Sequence, residues 1–259
     1  GEHTGAMVLT EPAAGSDLQS VQLKAWQDDD GQWHLNGVKH FISNGCGEVL
    51  LVLARSEPNT NNIFGLSLFA CRGGDKVKVT RIEEKMGIHG NSTCVMNFDE
   101  AKGYLISEPH KGMRAMFTFI NESRLGVAMH GQAHSEVSFQ KALAYARDRL
   151  QFRAHPRVDE SKPADPIICH PDVRRMLLTQ KAFAEGGRML NMCCGQLVDV
   201  TLSPDFSDEE REEAETMLAV LTPIAKGFLS ETSLETTNYG IQVLGGHGVI
   251  KEWGREQEV

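Results

Sequence analysis

Between Val21 and about Ile106 the apolar residues come in short runs rich in β-branched and aromatic side chains: VQLKAWQ, QWHLNGVKHFI, EVLLVLA, FGLSLFA, KVKVTRI and TCVMNF. Turn formers separate them, notably Asp30-Gly31, Asn36-Gly37, Asn44-Gly45 and Gly73-Gly74. Runs of four to eight such residues bounded by glycine and asparagine read as strands. This half is therefore predicted to be an antiparallel β domain, with a hairpin turning at Asn36-Gly37. After Gly112 the period changes. Met113, Met116, Phe117, Ile120, Leu125 and Val127 give way to Val137, Leu143, Ala144 and Ala146, at the three- and four-residue spacings of a helix. One long helix, or two in line, is predicted up to a charged, proline-bearing loop from His155 to Pro171. A second helix follows from Asp172 to about Leu202, and Pro204 breaks it. Ser207 with Glu210 three residues later matches a capping box, so a third helix starts there and carries the acidic run DEEREEAE on a solvated face. Strands followed by helices, not interleaved with them, place the chain in the α+β class, with residues 1–107 as a β domain and 108–259 as a helical bundle.

Composition narrows what such a chain does. At 259 residues and 41% apolar it buries a sizeable core. A formal charge of -9 with scattered Lys and Arg excludes non-specific nucleic-acid binding, which needs a basic stripe to displace phosphate counterions. No apolar stretch approaches the roughly 20 residues of a membrane span, and GEHTGAMVL has neither the basic nor the apolar region of a signal peptide. A soluble cytoplasmic protein is expected. The chain begins at Gly1 and ends at Val259 in what reads as a helix or its exit, so both ends look cut. The six cysteines form no C-x-x-C pair, and neighbouring Cys193 and Cys194 are too close for an ordinary disulfide; they read as reduced and mostly buried.

Several segments carry chemistry. In MVLTEPAAGSD, Met7 to Asp17, Thr10 and Ser16 offer hydroxyls and Gly15 admits a close backbone approach; a structural turn is the plain alternative. Phe41, Ile42 and Ser43 place a flat ring and a hydroxyl at a strand end, to flank a planar heterocycle or to fill a core. IQVLGGHG, Ile241 to Gly248, stops a helix without being a dinucleotide fingerprint, because no strand precedes it. His130 and His134 are four apart on a helix, but the glutamate that zinc peptidases place after the first histidine is missing, so no metal is expected. Neither a G-x-S-x-G elbow nor a Walker motif is present.

LTEPAAGSD, LNGVKHFISNG, ARDRLQFR and QVLGGHG, in this order, resemble the acyl-CoA dehydrogenase family. EEKMGIHGNSTCVMNF and HPDVRRMLL further resemble its subgroup of 3-(methylsulfanyl)propanoyl-CoA dehydrogenases. The resemblance implies a β middle domain that binds flavin and acyl-CoA and a truncated C-terminal bundle, with the family's N-terminal helical domain missing. It implies FAD as cofactor. Met7, Leu9, Thr10, Gly15 and Ser16 would line the isoalloxazine, Phe41 would pack against it, and Ile42 and Ser43 would follow, Ser43 at its polar edge. Ser16 would also meet the CoA ester, with Asn121 and Arg124 in the substrate cavity; a buried ion pair between helices is the plain alternative for Arg124. Arg149, Gln151, Gln242, Gly245 and Gly246 would reach the adenine-nucleotide part of FAD in a neighbouring subunit, which implies a homodimer or homotetramer.

The reaction so implied is α,β-dehydrogenation of an acyl-CoA to the 2-enoyl-CoA, with electrons passed to electron-transfer flavoprotein. A carboxylate takes the α-proton as the β-hydrogen leaves as hydride. An acyl-CoA oxidase or flavin monooxygenase on the same scaffold is the alternative enzyme, and a non-catalytic CoA-ester-binding or assembly protein the alternative of another class. The family's usual base, a glutamate after the GGxG turn, would fall beyond Val259. Relatives that carry it on the long helix place it where this chain has Ser123, and Glu122, one residue off, is turned away by about 100°.

Overall fold

The computed structural model describes residues 2–74 and 76–255, so the expected helix exit at Val259 lies outside the described residues. The chain divides into two compact units, one up to Ile120 and one from Asn121 onwards. The first contains seven strands: β1 (Gly5–Val8), β2 (Lys24–Gln27), β3 (Trp33–Ser43), β4 (Val49–Arg55), β5 (Leu66–Arg72), β6 (Val77–Ile82) and β7 (Thr93–Leu105). Hydrogen-bonded neighbours run β4, β2, β3, β7, β5 and back to β4, so the sheet closes on itself, with β6 added to β7. The closing contact between β2 and β4 is one residue pair, Lys24 opposite Arg55. Leu35, Phe69, Met96 and Phe98 fill the centre and are wholly buried.

Two features depart from the sequence expectation. The sheet is mixed: β1 lies parallel to β4, from Gly5 opposite Val49 to Val8 opposite Val52. The whole β2–β3 hairpin separates those two strands, so no tight turn imposes an antiparallel pairing. Secondly, Asn36-Gly37 is not a hairpin turn, because β3 runs through it and pairs with β7 from Trp33 to Ser43. Gly37 sits at a bulge instead, with φ 146°. The turn lies at Asp28–Gln32. There the Asp28 carboxylate accepts the N–H groups of Asp30 (3.1 Å) and Gln32 (2.8 Å), and Gly31 takes φ 79°. Local aspartate chemistry closes the turn there, whereas both residues flanking Asn36-Gly37 are claimed by the ladder with β7.

Three helices follow, the first of them continuous: α1 (Gly112–Asp148), α2 (Pro171–Leu202) and α3 (Asp208–Leu244). Met113, Met116 and Ile120 at the start of α1 complete the apolar cluster of Val21, Leu53, Leu66 and Leu68 in the first unit. The capping box at α3 is complete, with the Ser207 hydroxyl accepting from Glu210 N–H and the Glu210 carboxylate from Ser207 N–H. Among the described residues no helix is long and apolar enough to cross a membrane.

The second unit hides its smallest side chains. Along α1 the buried positions are Ala128, Gly131, Ser135, Ser138, Ala142 and Ala146, three or four apart, whereas Val127 and Val137 from the predicted apolar pattern are exposed. Small residues let helix backbones approach closely: a Cβ on Gly131 would stand 2.5 Å from the Leu229 carbonyl oxygen on α3. The polar members are satisfied across helices. Ser135 and Thr236 hydroxyls are 2.9 Å apart, and Ser138 Oγ accepts from Arg255 Nη2 at 2.8 Å. The cysteines are free as expected, yet only Cys71, Cys94 and Cys194 are buried, while Cys46 on a turn and Cys193 on a helix surface are exposed.

The close approach makes a paired prediction. Gly126 is exposed with open space around its Cβ position, so Gly126→Ala is expected to stabilise by up to about 1 kcal/mol through helix propensity. Gly131→Ala gains the same propensity but forces α1 and α3 apart, and is expected to destabilise by about 1–3 kcal/mol. Urea denaturation of the two variants checks this, and equal effects at both glycines would contradict it.

Candidate functional site

Within the first unit, Leu9, Thr10 and Glu11 of MVLTEPAAGSD join β3 at Lys39 and His40, directly before FISNG. A buried ion pair holds them there. Lys39, wholly buried on β3, lies 2.9 Å from a carboxylate oxygen of Glu11, itself only 8% exposed. The Lys39 ammonium also donates to the carbonyls of Leu9 and Leu53, both at 2.8 Å. Glu11 spends its remaining acceptor capacity on the backbone, taking the N–H groups of Gln22 (2.8 Å) and Leu23 (2.9 Å). Charges this deep survive only when paired and fully hydrogen-bonded, and these are. A second tie runs from His40 N–H to the Thr10 carbonyl at 2.9 Å. Glu11 and Ala14 close a tight turn by exchanging backbone hydrogen bonds, which leaves Gly15 and Ser16 exposed beyond it. Arg55 pins the far end of the segment, donating to the Val21 carbonyl at 2.9 Å.

The strand end is shaped by a change of parity. Lys39 and Ile42 both face the interior although three residues apart, so the ladder with β7 slips between them. The slip falls on His40 and Phe41. Phe41 takes φ 58°, unusual for a bulky residue, and its ring is 62% exposed. A large aromatic held in a strained backbone and turned to solvent is not serving the core. Of the sequence-named residues here, Ile42 is buried, Met7, Leu9 and Thr10 are half-buried, and Ser43 stands exposed after Phe41.

In the second unit, Arg149, Gln151, Gly245 and Gly246 line one open cavity of about 580 Å³, with Tyr145 and His247 among its walls. Arg149 Nη2 reaches Gln151 Oε1 at 3.4 Å. Gly245 ends α3 with φ 58° and donates its N–H to the Gln242 carbonyl. Gln242 itself is exposed and is not among the lining residues. The loop after α1 is held by Asp165, whose buried carboxylate accepts the N–H groups of Ala154 (2.9 Å), Val158 and Asp159 (3.2 Å each). Those bonds, the Ala154 bond first, hold its pKa below the ordinary carboxylate range despite burial. The Tyr145 hydroxyl lies 2.9 Å from His247 Nδ1, and Trp253 packs on the His247 ring. On α1, Arg124 donates to the Asn121 side chain at 3.3 Å, Glu122 is exposed and Ser123 is half-buried. His130 and His134 stack edge to face, centroids 4.8 Å apart.

Sequence reading missed Glu11, Lys39, Tyr145 and His247. Glu11, Lys39 and His247 lie inside the motifs LTEPAAGSD, LNGVKHFISNG and QVLGGHG, and Tyr145 directly precedes ARDRLQFR, but no local pattern marks the distant partners they meet. The larger cavity of the first unit, about 820 Å³ around Trp26, Trp33 and Arg55, holds none of the named residues.

Residues 6–101 match the family model described as acyl-CoA dehydrogenase, middle domain, and residues 110–258 match acyl-CoA dehydrogenase, C-terminal domain. The chain is 41% identical to a 3-methylmercaptopropionyl-CoA dehydrogenase of Ruegeria pomeroyi, over 99% of this chain and 46% of that protein. It is 35% identical to a broad-specificity linear acyl-CoA dehydrogenase of Mycobacterium tuberculosis, over 98% of this chain and 45% of that one. The chain thus spans just under half the length of these relatives. Its fold resembles the structure of butyryl-CoA dehydrogenase from Megasphaera elsdenii, with a TM-score of 0.82 and 25% identity, covering 99% of this chain and 62% of that one.

The buried pair predicts a pH response. Desolvation lowers the Lys39 ammonium to about 8, against 10.5 for an ordinary lysine, and Glu11 only partly offsets it. Between those values the unfolded chain holds a proton that the folded chain has lost, so this group makes stability rise with pH from about 8 towards 10.5. Below 8 its burial cost is fully present. A Glu11→Gln/Lys39→Met double variant loses that slope. Relative to the variant, the wild-type protein is expected to gain up to about 3 kcal/mol between pH 7 and pH 10. Urea unfolding at the two pH values measures this, and a constant difference would contradict it.

Proposed function

We propose a function from an established premise: this chain belongs to the acyl-CoA dehydrogenase family. The proposal is that it works as the middle and C-terminal part of an FAD-dependent enzyme that desaturates an acyl-CoA thioester between its α and β carbons. Electron-transfer flavoprotein is the proposed acceptor. One observation carries the reading: the exposed Phe41 ring stands at a strained strand end to which a buried ion pair ties the loop leading to Ser16.

The residues fit a flavin. Phe41 offers a flat apolar face, and Ser43 and Ser16 are exposed hydroxyls on segments tied to the same strand. When bound, FAD supplies the two-electron acceptor for the β-hydrogen. The protein's part is position and polarity. Met7, Leu9, Thr10 and Gly15 belong to the segment that would border the ring system, with Ile42 buried beneath it as an anchor. Arg149, Gln151, Gly245 and Gly246 would grip the adenine-nucleotide end of the cofactor of a second copy, with Gln242 beside them. That sharing supports a homo-oligomer. Asn121 and Arg124, joined on α1, would line the substrate cavity.

Proton removal needs a carboxylate held against the α-carbon, because misplacement by about 1 Å costs on the order of a hundredfold in rate. Glu122 is exposed, and Ser123 has no carboxyl group. Neither therefore offers a carboxylate held against the α-carbon.

Anaerobic addition of an acyl-CoA to the full-length protein tests the function, with a short straight-chain thioester and 3-(methylsulfanyl)propanoyl-CoA as first substrates. Flavin absorbance is expected to fall. Bound thioester with unchanged absorbance would favour a non-catalytic binding protein instead. Phe41→Ala is expected to weaken FAD retention on the order of tenfold, as the loss of one stacked aromatic contact of about 1.5 kcal/mol implies. Flavin content after gel filtration measures it, and an unchanged value would remove Phe41 from the site.

A further inference from the structure

Cys46 and Cys94 lie 48 residues apart in sequence, yet their sulfur atoms are 3.7 Å apart. The turn after β3 makes this contact. Gly45 N–H bonds the Ile42 carbonyl at 3.2 Å, Gly47 N–H bonds the Asn44 carbonyl at 2.8 Å, and Asn44 N–H bonds the Ser92 carbonyl at 2.7 Å. Across the ladder, Ile42 stands opposite Cys94 and Ser43 opposite Thr93. The backbone of Gly45 rests directly on Cys94, where a Cβ would come within 2.7 Å of the cysteine Cβ. Only glycine fits there, and the next residue is thereby delivered beside the buried sulfur. Cys46 is exposed, whereas Cys94 is wholly buried.

We propose that this pair is an oxidation site, in which peroxide converts Cys46 and Cys94 to a reversible intramolecular disulfide. The exposed Cys46 thiolate attacks one peroxide oxygen, the O–O bond breaks, and Cys46 becomes a sulfenic acid as one water leaves. Cys94 then attacks the Cys46 sulfur, the S–O bond breaks, and the second water leaves. Overall two thiols and one hydrogen peroxide give one disulfide and two waters; the sulfurs are oxidised and the peroxide oxygens reduced. The sulfurs must close from 3.7 Å to about 2.05 Å, a step that the proposal assigns to movement of Cys46 on its surface turn. Burial raises the Cys94 thiol above its ordinary pKa, so the second step quickens as pH rises.

Elsewhere the chain is less suited. Cys71 is buried and raised to about 11, and Cys193 and Cys194 are adjacent in the backbone. The cross-link would staple the turn after Ser43 to β7, next to the strand end that carries Phe41. The proposal does not depend on a flavin binding there.

Peptide mapping without reductant, after exposing the native full-length protein to stoichiometric hydrogen peroxide, tests it. A Cys46–Cys94 linked peptide is expected, lost again on adding dithiothreitol and absent from Cys46→Ser. In Cys94→Ala, the sulfenic acid at Cys46 is expected to persist and to be trapped by dimedone. Should Cys94→Ala not fold, the rate of linkage in the wild-type protein serves instead, and it is expected to rise between pH 7 and pH 9. Cys46 oxidised to sulfinic or sulfonic acid with Cys94 still a free thiol would overturn the proposal. So would linkage of Cys46 to any other cysteine.

Discussion

The Lys39–Glu11 pair is the constraint on which the β unit turns. Each charge is useless without the other: removing one partner of a buried ion pair strands the remaining charge and costs about 3–5 kcal/mol. Together they join parts of the chain that are far apart in sequence. Lys39 gathers the carbonyls of Leu9 and Leu53, and Glu11 gathers the amides of Gln22 and Leu23. With the His40–Thr10 and Arg55–Val21 hydrogen bonds, the pair fixes the loop between β1 and β2. Pinned from beneath, it presents Gly15 and Ser16 in one place while the buried Lys39 and Glu11 charges stay hydrogen-bonded.

The same lysine shapes what stands above it. Because Lys39 must face inward and Ile42 must also be buried, the two intervening residues cannot keep the alternation of a regular strand. The bulge at His40 and Phe41 resolves the conflict, and its consequence is an aromatic ring turned outward at an unfavourable φ. Such strain persists where the surroundings over-determine it, and here the ladder with β7, the His40–Thr10 hydrogen bond and the ion pair all do so. The exposed Phe41 is thus a product of the buried pair. This gives a physical account of how a strand end becomes a rigid platform, and rigid platforms are what hold a planar cofactor in register.

The helical unit obeys a different rule. Its close contacts run along Ala, Gly and Ser, with hydroxyls bonded across helices, while larger apolar residues such as Val127, Met129 and Val137 stay exposed within a single chain. Backbones brought this near carry the end of α3 up to the loop after α1, where Arg149 and Gln151 share a cavity with Gly245 and Gly246. Residues almost a hundred positions apart become one surface because small side chains let the helices touch.

Much was legible in the sequence because it depends on neighbours along the chain. The strand runs, the capping box at Ser207 and Glu210, the helix stop at Gly245 and the segregation of strands from helices all follow from local periodicity and turn chemistry. The motifs around Ser16, Phe41, Arg149 and Gly245 were legible as strings, and they carried the family resemblance. What the sequence alone could not decide depends on pairing at a distance. The turn belongs to Asp28–Gln32 and not to Asn36-Gly37, because β7 claims both sides of the latter. Strand β1 runs parallel to β4 because a hairpin intervenes between them. Val137 looked like core, yet it is exposed while its neighbour Ser138 is buried where the helices pack closely. Lys39 was given no role from the sequence, since nothing near it announces a partner 28 residues earlier. Local free energies are written in neighbouring residues, but burial and charge pairing exist only once distant segments have met, so the fold class came from the chain and the site's architecture came from the tertiary structure.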